Sequence, residues 1–424
     1  MTRTAPHRTS LAAAFVLVPS LVAAACTSDD PSTPETTAPA PSTTEVPARV
    51  VDDTLTIGLL LPTADPVLGQ GLVSAATEAV TRVNAAGGVL GRDVRISIQD
   101  EGTSAVTAAA GIAALLDDDV DAVVGPSSSL IALSTLDDLV SAGVATCSPT
   151  ASALALDDYP DEGLFFRTIP SDSLQAIAIA DVAERTGVRN VAVVYVDDAY
   201  GRPFARAVED ALSEGSRSVD AVETFGFVRS DGALDALATR VADSGARVVI
   251  VLAASDDGTA VLEALSRTDF GSLTDIVVND AFRNPAAQPL IQTLDPALRD
   301  LITGLAPQAQ SNDDDRPFDP PGLFAAHAFD CVTLIALAVT LVRSDDPAQF
   351  ASQIPALTTG GRVCDAFDGC AELLDDDRDI NYNGPDGITE LLQVGDPARA
   401  RFDQFVFDET GRAVFVRPVV ASSV

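Results

Sequence analysis

The stretch VVGPSSSLIALSTLDDLVSAGVATCSPTAS, residues 123–152, decides how the rest of the chain reads. Ala122-Val123-Val124 is a short β-branched run that stops at Gly125-Pro126, after which Ser127-Ser128-Ser129 opens an apolar-periodic helix. A second strand, Gly143 to Cys147, stops at Ser148-Pro149-Thr150-Ala151-Ser152, which reads as a second helix opening. The pattern predicts two adjacent strands ending in hydroxyls and free amide N–H groups at helix N-termini. Such ends attract anions, because the first N–H groups lack partners and the helix dipole is positive there. For any one of these serines the plainer reading is an N-cap. Two clusters at neighbouring strand ends point instead to a ligand site, since open α/β sheets bind ligands outside the carboxyl ends of their strands.

The same alternation extends outward in both directions. Leu55 to Leu61 is a continuous apolar strand of the kind buried in a parallel sheet, followed by a loop and a helix through Asn84. Strand Val94 to Ile98, with acids at its end, and helix Thr107 to Leu116 lead into the opening stretch. A second series begins after Arg167-Thr168-Ile169-Pro170. Strands near 191–196, 222–228, 248–253 and 276–279 alternate with helices near 173–185, 203–213, 233–244 and 259–266. Alternating strands and helices mean βαβ units and parallel sheets.

The N-terminus reads differently. Arg3 and Arg8 precede an apolar run, Leu11 to Ala25, too short for a permanent membrane span. Residues 1–25 resemble a bacterial lipoprotein signal peptide, with Cys26 as the acylated mature N-terminus; Ala23 stands where leucine is usual, and ordinary secretory cleavage is the alternative. The Thr/Pro/Ser-rich segment 26–50 cannot bury a core and reads as a linker. All 26 basic residues are arginine, and with heavy Ala, Val and Asp usage this indicates a high-GC, actinobacterial genome. A net charge of −36 argues against nucleic-acid or anionic-lipid partners. No later apolar run is read as a transmembrane helix. Export permits disulfides: Cys364 and Cys370 flank a short Gly-containing loop and are expected to pair, whereas Cys147 and Cys331 are open between a second bridge and buried thiols. No zinc-site spacing is present, and no cofactor or metal is expected.

The segments VNAAGGVLGRDVRI, VVGPSSS, TCSPTAS, LFFRTIPSDSLQA, VAVVYVDDAYGRPFA, AHAFDCVTLIALA and DINYNGPDGI, in that order over roughly residues 54–410, resemble the branched-chain amino-acid (Leu/Ile/Val-binding) substrate-binding proteins of ABC importers. The resemblance implies the type I periplasmic-binding-protein fold: two doubly wound parallel-sheet α/β lobes joined by a three-segment hinge. Residues 51–168 and 307–380 would form lobe 1, and residues 169–306 and 381–424 lobe 2. It also implies a non-enzymatic, monomeric protein anchored to the outer face of the cell membrane, delivering a small amino-acid-like ligand to ABC permease subunits. A surface receptor of the same fold without transport is the alternative.

By the same resemblance, Ser129, Thr150 and Ser152 hold the ligand's α-carboxylate, while Tyr200 and Asp280 face its α-ammonium from lobe 2; Asp280 could otherwise cap a helix. Asp197 and Asp198 are read as solvent-flanking. Leu68-Gly69 and Ala253-Ala254-Ser255 stand where the family often places aromatics, which leaves ligand identity open. Three other motifs are set aside. Residues 379–390 match an EF-hand spacing, but Asp386 takes a position normally aliphatic and Pro385 follows the glycine. Gly69-Gln-Gly71 lies too far past its strand for a dinucleotide loop. His327, the one histidine after the leader, falls in an apolar helix and reads as core rather than catalytic base.

Overall fold

Continuous apolar strands can be buried on both faces only if helices cover both, and the two large sheets among the described residues are covered in that way. The computed structural model describes residues 49–187, 189–214, 219–230, 233–253, 255–271, 273–308, 322–387 and 390–423. The signal-peptide reading, Cys26 and the linker up to residue 48 lie outside the described residues.

The first series gives β1 (Thr56–Leu61), α1 (Gly69–Ala85), β2 (Arg95–Asp100), α2 (Ala105–Asp117), β3 (Ala122–Val124), α3 (Ser129–Ser141), β4 (Ala145–Ser148) and β5 (Phe165–Arg167). They form a wholly parallel sheet in the order β2-β1-β3-β4-β5. On β1, Ile57, Leu59 and Leu61 pack with α1 and the helix Ala325–Val342, while Leu60 joins Ile112, Leu115 and Leu139 on the opposite face.

The second series gives α4 (Asp172–Arg185), β6 (Asn190–Val196), α5 (Gly201–Glu214), β7 (Ala221–Phe227), α6 (Ala233–Asp243), β8 (Val248–Leu252), α7 (Ser255–Ser266), β9 (Asp275–Val278) and β10 (Ile302–Pro307). After β11 (Arg362–Cys364) and β12 (Ile380–Tyr382), which pair with each other, β13 (Arg399–Phe407) and β14 (Ala413–Ser422) add antiparallel strands to this sheet, whose order is β14-β13-β10-β9-β8-β6-β7. Period-two alternation sorts the fully buried β8: Val248, Ile250 and Leu252 face one core, Val249 and Val251 the other.

The chain passes between the sheets three times: from β5 to α4, from β10 to the helix Ala325–Val342, and from β12 to β13. The passages meet at His327. Thr168 Oγ1 donates to the His327 carbonyl at 3.0 Å, and Asp386 Oδ2 lies 3.5 Å from the imidazole Nδ1. Burial pushes this histidine down to about 4, which accords with a core role. The helix Ala325–Val342 is long and apolar enough to cross a membrane by length and composition. Here it is the core helix of the first lobe, buried continuously from Ala325 to Val339.

One expected helix is absent. SPTAS turns into a single 3₁₀ turn, Leu154–Leu156, rather than opening an α-helix. Ser148 Oγ accepts the Ala151 N–H at 3.0 Å, and the Arg167 guanidinium takes the carbonyls of Ala151 and Ala153, each at 3.2 Å. A helix would need those carbonyls as its own acceptors. The N-terminal dipole argument therefore applies to α3 and fails at β4.

Two disulfides are present. Cys364–Cys370 closes a short loop, and Cys147–Cys331 joins β4 to the core helix across a sequence separation of 184. Removing the longer bridge by Cys147→Ser/Cys331→Ser is expected to cost about 2–5 kcal/mol in urea unfolding. Arg167 is wholly buried and bonds Asp157 and, bidentately, Asp396 at 2.6 and 2.9 Å. Arg167→Met should cost about 3–5 kcal/mol, because two carboxylates lose their cation. Adding Asp157→Asn and Asp396→Asn should recover most of the loss, measured by the same unfolding curves.

Candidate functional site

The carboxyl ends of β1, β2, β3 and β4 face those of β6 and β9 across a cavity of about 420 Å³. Its lining includes Ser129, Thr150 and Ser152 from the first lobe and Tyr200 and Asp280 from the second, so all five residues singled out in the sequence meet at one place. A larger groove, of about 820 Å³, lies against α1 and the core helix, lined by Arg82, Phe329 and Phe367. It is away from the strand ends, which is where this architecture binds ligands.

On the first-lobe wall the GPSSS turn is pinned by sterics and by internal hydrogen bonds. Gly125 has φ +116°, and a Cβ there would lie 2.0 Å from the Leu60 carbonyl oxygen, so a side chain cannot be accommodated. Ser128 caps α3 with its hydroxyl toward the Ile131 N–H. Thr150 Oγ1 donates to the Ser127 carbonyl at 2.7 Å, and Ser129 Oγ accepts the Ala153 N–H at 3.2 Å. These bonds fix what each group can still offer. The Ser129 hydroxyl keeps its proton for a ligand, whereas the Thr150 hydroxyl has committed its own and retains lone pairs.

The nearest anion to the start of α3 is supplied by the protein. Glu101, at the end of β2 and only 2% exposed, accepts the Ser127 N–H at 2.5 Å and the Ser127 hydroxyl as well. Burial raises this carboxyl and the Ser127 bonds partly offset the rise. Sequence reading noted acids at this strand end without assigning them to the site.

On the second-lobe wall, Asp280 opens a 3₁₀ turn, Asp280–Arg283, after β9. Gln175 Nε2, from α4, donates to Asp280 Oδ1 at 3.2 Å and to the Leu305 carbonyl at 2.9 Å, which ties the acid to β10. Tyr200 follows Asp198, whose Oδ1 accepts the N–H groups of Tyr200 and Gly201 at the start of α5. Asp197 instead pairs with Arg202 in solvent.

Asp172, the first residue of α4, packs behind this wall. It is 1% exposed, its Oδ2 has no hydrogen-bond partner, and Asp280, Ser152 and Tyr200 surround it. Burial first, then the charge of Asp280, holds Asp172 well above the usual carboxylate range; burial likewise raises Asp280. Burial and both carboxylates push the Tyr200 phenol well up, so it stays a neutral donor. Position would have exposed Asp172, since it directly follows the crossing from β5. Phe324, at the N-cap of the core helix with φ +57°, supplies an aromatic to the cavity, which Leu68 also lines.

These features sit within a wider kinship. A family model described as "receptor family ligand binding region" matches residues 72–405. The Leu/Ile/Val-binding protein homolog 3 of Brucella melitensis is 29% identical over 268 residues, covering 57% of this chain and 72% of that protein. The chemotactic signal transduction system substrate-binding protein BasB of Halobacterium salinarum is 26% identical over 84% of this chain and 87% of its own length. An ABC transporter substrate-binding protein from Desulfitobacterium hafniense, solved in complex with Leu, superposes with a TM-score of 0.66 at 20% identity, over 86% of this chain and 100% of its own. These relatives are binding proteins and not enzymes. With one family model spanning both lobes and the cavity between them, the chain belongs to the receptor family of ligand binding regions, in the type I periplasmic-binding-protein fold.

Proposed function

We propose that this chain is an extracytoplasmic solute-binding protein of an ABC importer that captures an amino acid, or a related small carboxylate or amide, between its lobes. The observation that carries the reading is the meeting of Ser129, Thr150, Ser152, Tyr200 and Asp280, from both lobes, on one cavity of about 420 Å³. That volume is in the range of small-molecule sites. The ligand carboxylate would take the Ser129 hydroxyl and the backbone amides near Thr150 and Ser152. The α-ammonium would lie on Asp280 beneath the Tyr200 phenol. Because the two halves of the ligand are held by different lobes, binding favours the closed arrangement by the contacts made only there. The hinge reading, with lobe 1 as residues 51–168 and 307–380 and lobe 2 as residues 169–306 and 381–424, is part of this proposal. So are anchoring through lipidated Cys26 at the outer face of the membrane, a monomeric state and delivery to permease subunits.

A second reading, sensing without transport, draws on the similarity to a chemotactic substrate-binding protein over 84% of the chain. The cleft chemistry is the same in both readings, and growth on the captured solute as sole nitrogen source, with and without this chain, separates them.

The test of the cleft is titration calorimetry with amino acids on the wild type and on Asp280→Asn. Asp280→Asn should weaken binding by about two to four powers of ten, the equivalent of about 3–5 kcal/mol for breaking a buried charge pair. The pH dependence has a defined sign. Asp172 and Asp280 are both raised, so acidification protonates them early and removes the charge that holds an ammonium. Affinity should therefore fall as pH is lowered, beginning above the usual carboxylate range, and Asp280→Asn should flatten that dependence. Unchanged affinity in Asp280→Asn would remove the acid from the site.

A further inference from the structure

We propose that the preferred ligand carries a second cationic group and is a basic amino acid, such as one with an ω-ammonium or a guanidinium. This rests on the cavity being the amino-acid site and specifies which amino acids it takes.

The polar lining is unbalanced in a way that neutral amino acids do not answer. Asp65, Glu101 and Asp280 line the cavity, Asp172 lies directly behind Asp280 and Ser152, and among the described residues no arginine or histidine lines it. Arg167, which also acts on Asp172, is taken up by Asp157 and Asp396. One α-ammonium can answer the acids of the second lobe. Of that wall, Asp280 and Asn279 line the cavity, and the Oδ1 of Asn279, a residue 1% exposed, has no partner. A buried acceptor without a donor is costly, so the ligand that fills this wall supplies N–H groups to both residues.

That leaves the first-lobe acids unanswered. Glu101 is 2% exposed and its donors, the N–H and hydroxyl of Ser127 and the N–H of Ser128, are all neutral. Asp65 spends Oδ1 on the N–H groups of Val67 and Leu68 in the loop after β1. Among the described residues no cation pairs with either carboxylate. Glu101 holds a carboxylate against the Ser127 N–H at the entry to α3, so an acidic side chain placed beside it is repelled. A ligand whose side chain ends in a positive group neutralises this wall, with Leu68 and Phe324 against its methylenes. Charge, rather than aromatic shape, then sets the selectivity of a pocket that has few aromatics.

The experiment compares charged ligands with neutral isosteres on the full chain by titration calorimetry and thermal shift. L-arginine is paired with L-citrulline and L-lysine with L-norleucine, and L-leucine and L-glutamate are included. At least tenfold tighter binding of arginine over citrulline, or of lysine over norleucine, is expected, with glutamate weakest. Glu101→Gln should shrink that ratio below about threefold. Asp65→Asn, on an exposed loop, serves the same purpose should Glu101→Gln fail to fold. Equal or tighter binding of the neutral isosteres by the wild type would overturn the inference and leave the amino-acid site standing. Absence of binding by every amino acid in the panel would overturn both.

Discussion

The buried guanidinium of Arg167 is the interaction on which the arrangement of the cleft depends. It is charged, wholly removed from water, and satisfied by two carboxylates and two backbone carbonyls drawn from three separate parts of the chain. Asp396 belongs to the loop between β12 and β13, Asp157 to the loop after the 3₁₀ turn, and the carbonyls to the turn that carries Thr150 and Ser152. Desolvating an arginine is tolerable only when its donors are matched in this way. The cavity-lining turn of the first lobe, the exit of β5 and the third passage between lobes are therefore placed by one cation. Asp157 also accepts the Ser171 hydroxyl, the N-cap of α4, so the influence extends to Asp172, the first residue of that helix.

Charge within the cleft follows a different logic from charge on the surface. Outside, arginine–aspartate pairs such as Arg189–Asp220 are exposed and contribute little. Inside, carboxylates are gathered without cations and their pKa values rise, by burial before anything else. Such a site is destabilised while empty and relieved by a positively charged ligand, which is a way of converting folding stability into affinity. The net charge of −36 adds a long-range attraction for cations that salt will weaken.

Most of the architecture was legible because it is written in local patterns. The fully apolar β1 and β8, the hydroxyl-rich turns and the apolar run Ala325–Val342 each declare their burial by period and composition, without reference to distant residues. The errors and omissions are of another kind. The helix expected after SPTAS is lost to Arg167, a partner fifteen or so residues further along whose effect no local propensity contains. The Cys147–Cys331 bridge joins residues 184 apart, which spacing could not decide. Glu101 lay in view as an acid at a strand end, and only the folded geometry brings it to the same cavity as Asp280, with Asp172 buried behind that acid. Phe324 follows a polar loop and takes a left-handed backbone rarely adopted by aromatic residues, so no pattern announced it.

The core helix Ala325–Val342 has the length and hydropathy of a membrane span, yet it carries Asp330. That carboxyl accepts the Tyr382 hydroxyl at 2.5 Å and the Asp386 N–H at 2.9 Å, holding β12 and the segment that follows it to the helix. In a bilayer the same group would meet hydrocarbon, where an acid near a helix centre costs about 2.5–3.5 kcal/mol to insert. The residue that fastens this helix within the folded lobe thus also discourages the unfolded segment from lodging in lipid. A substitution such as Asp330→Leu would remove a structural tie and a barrier to membrane insertion at one stroke.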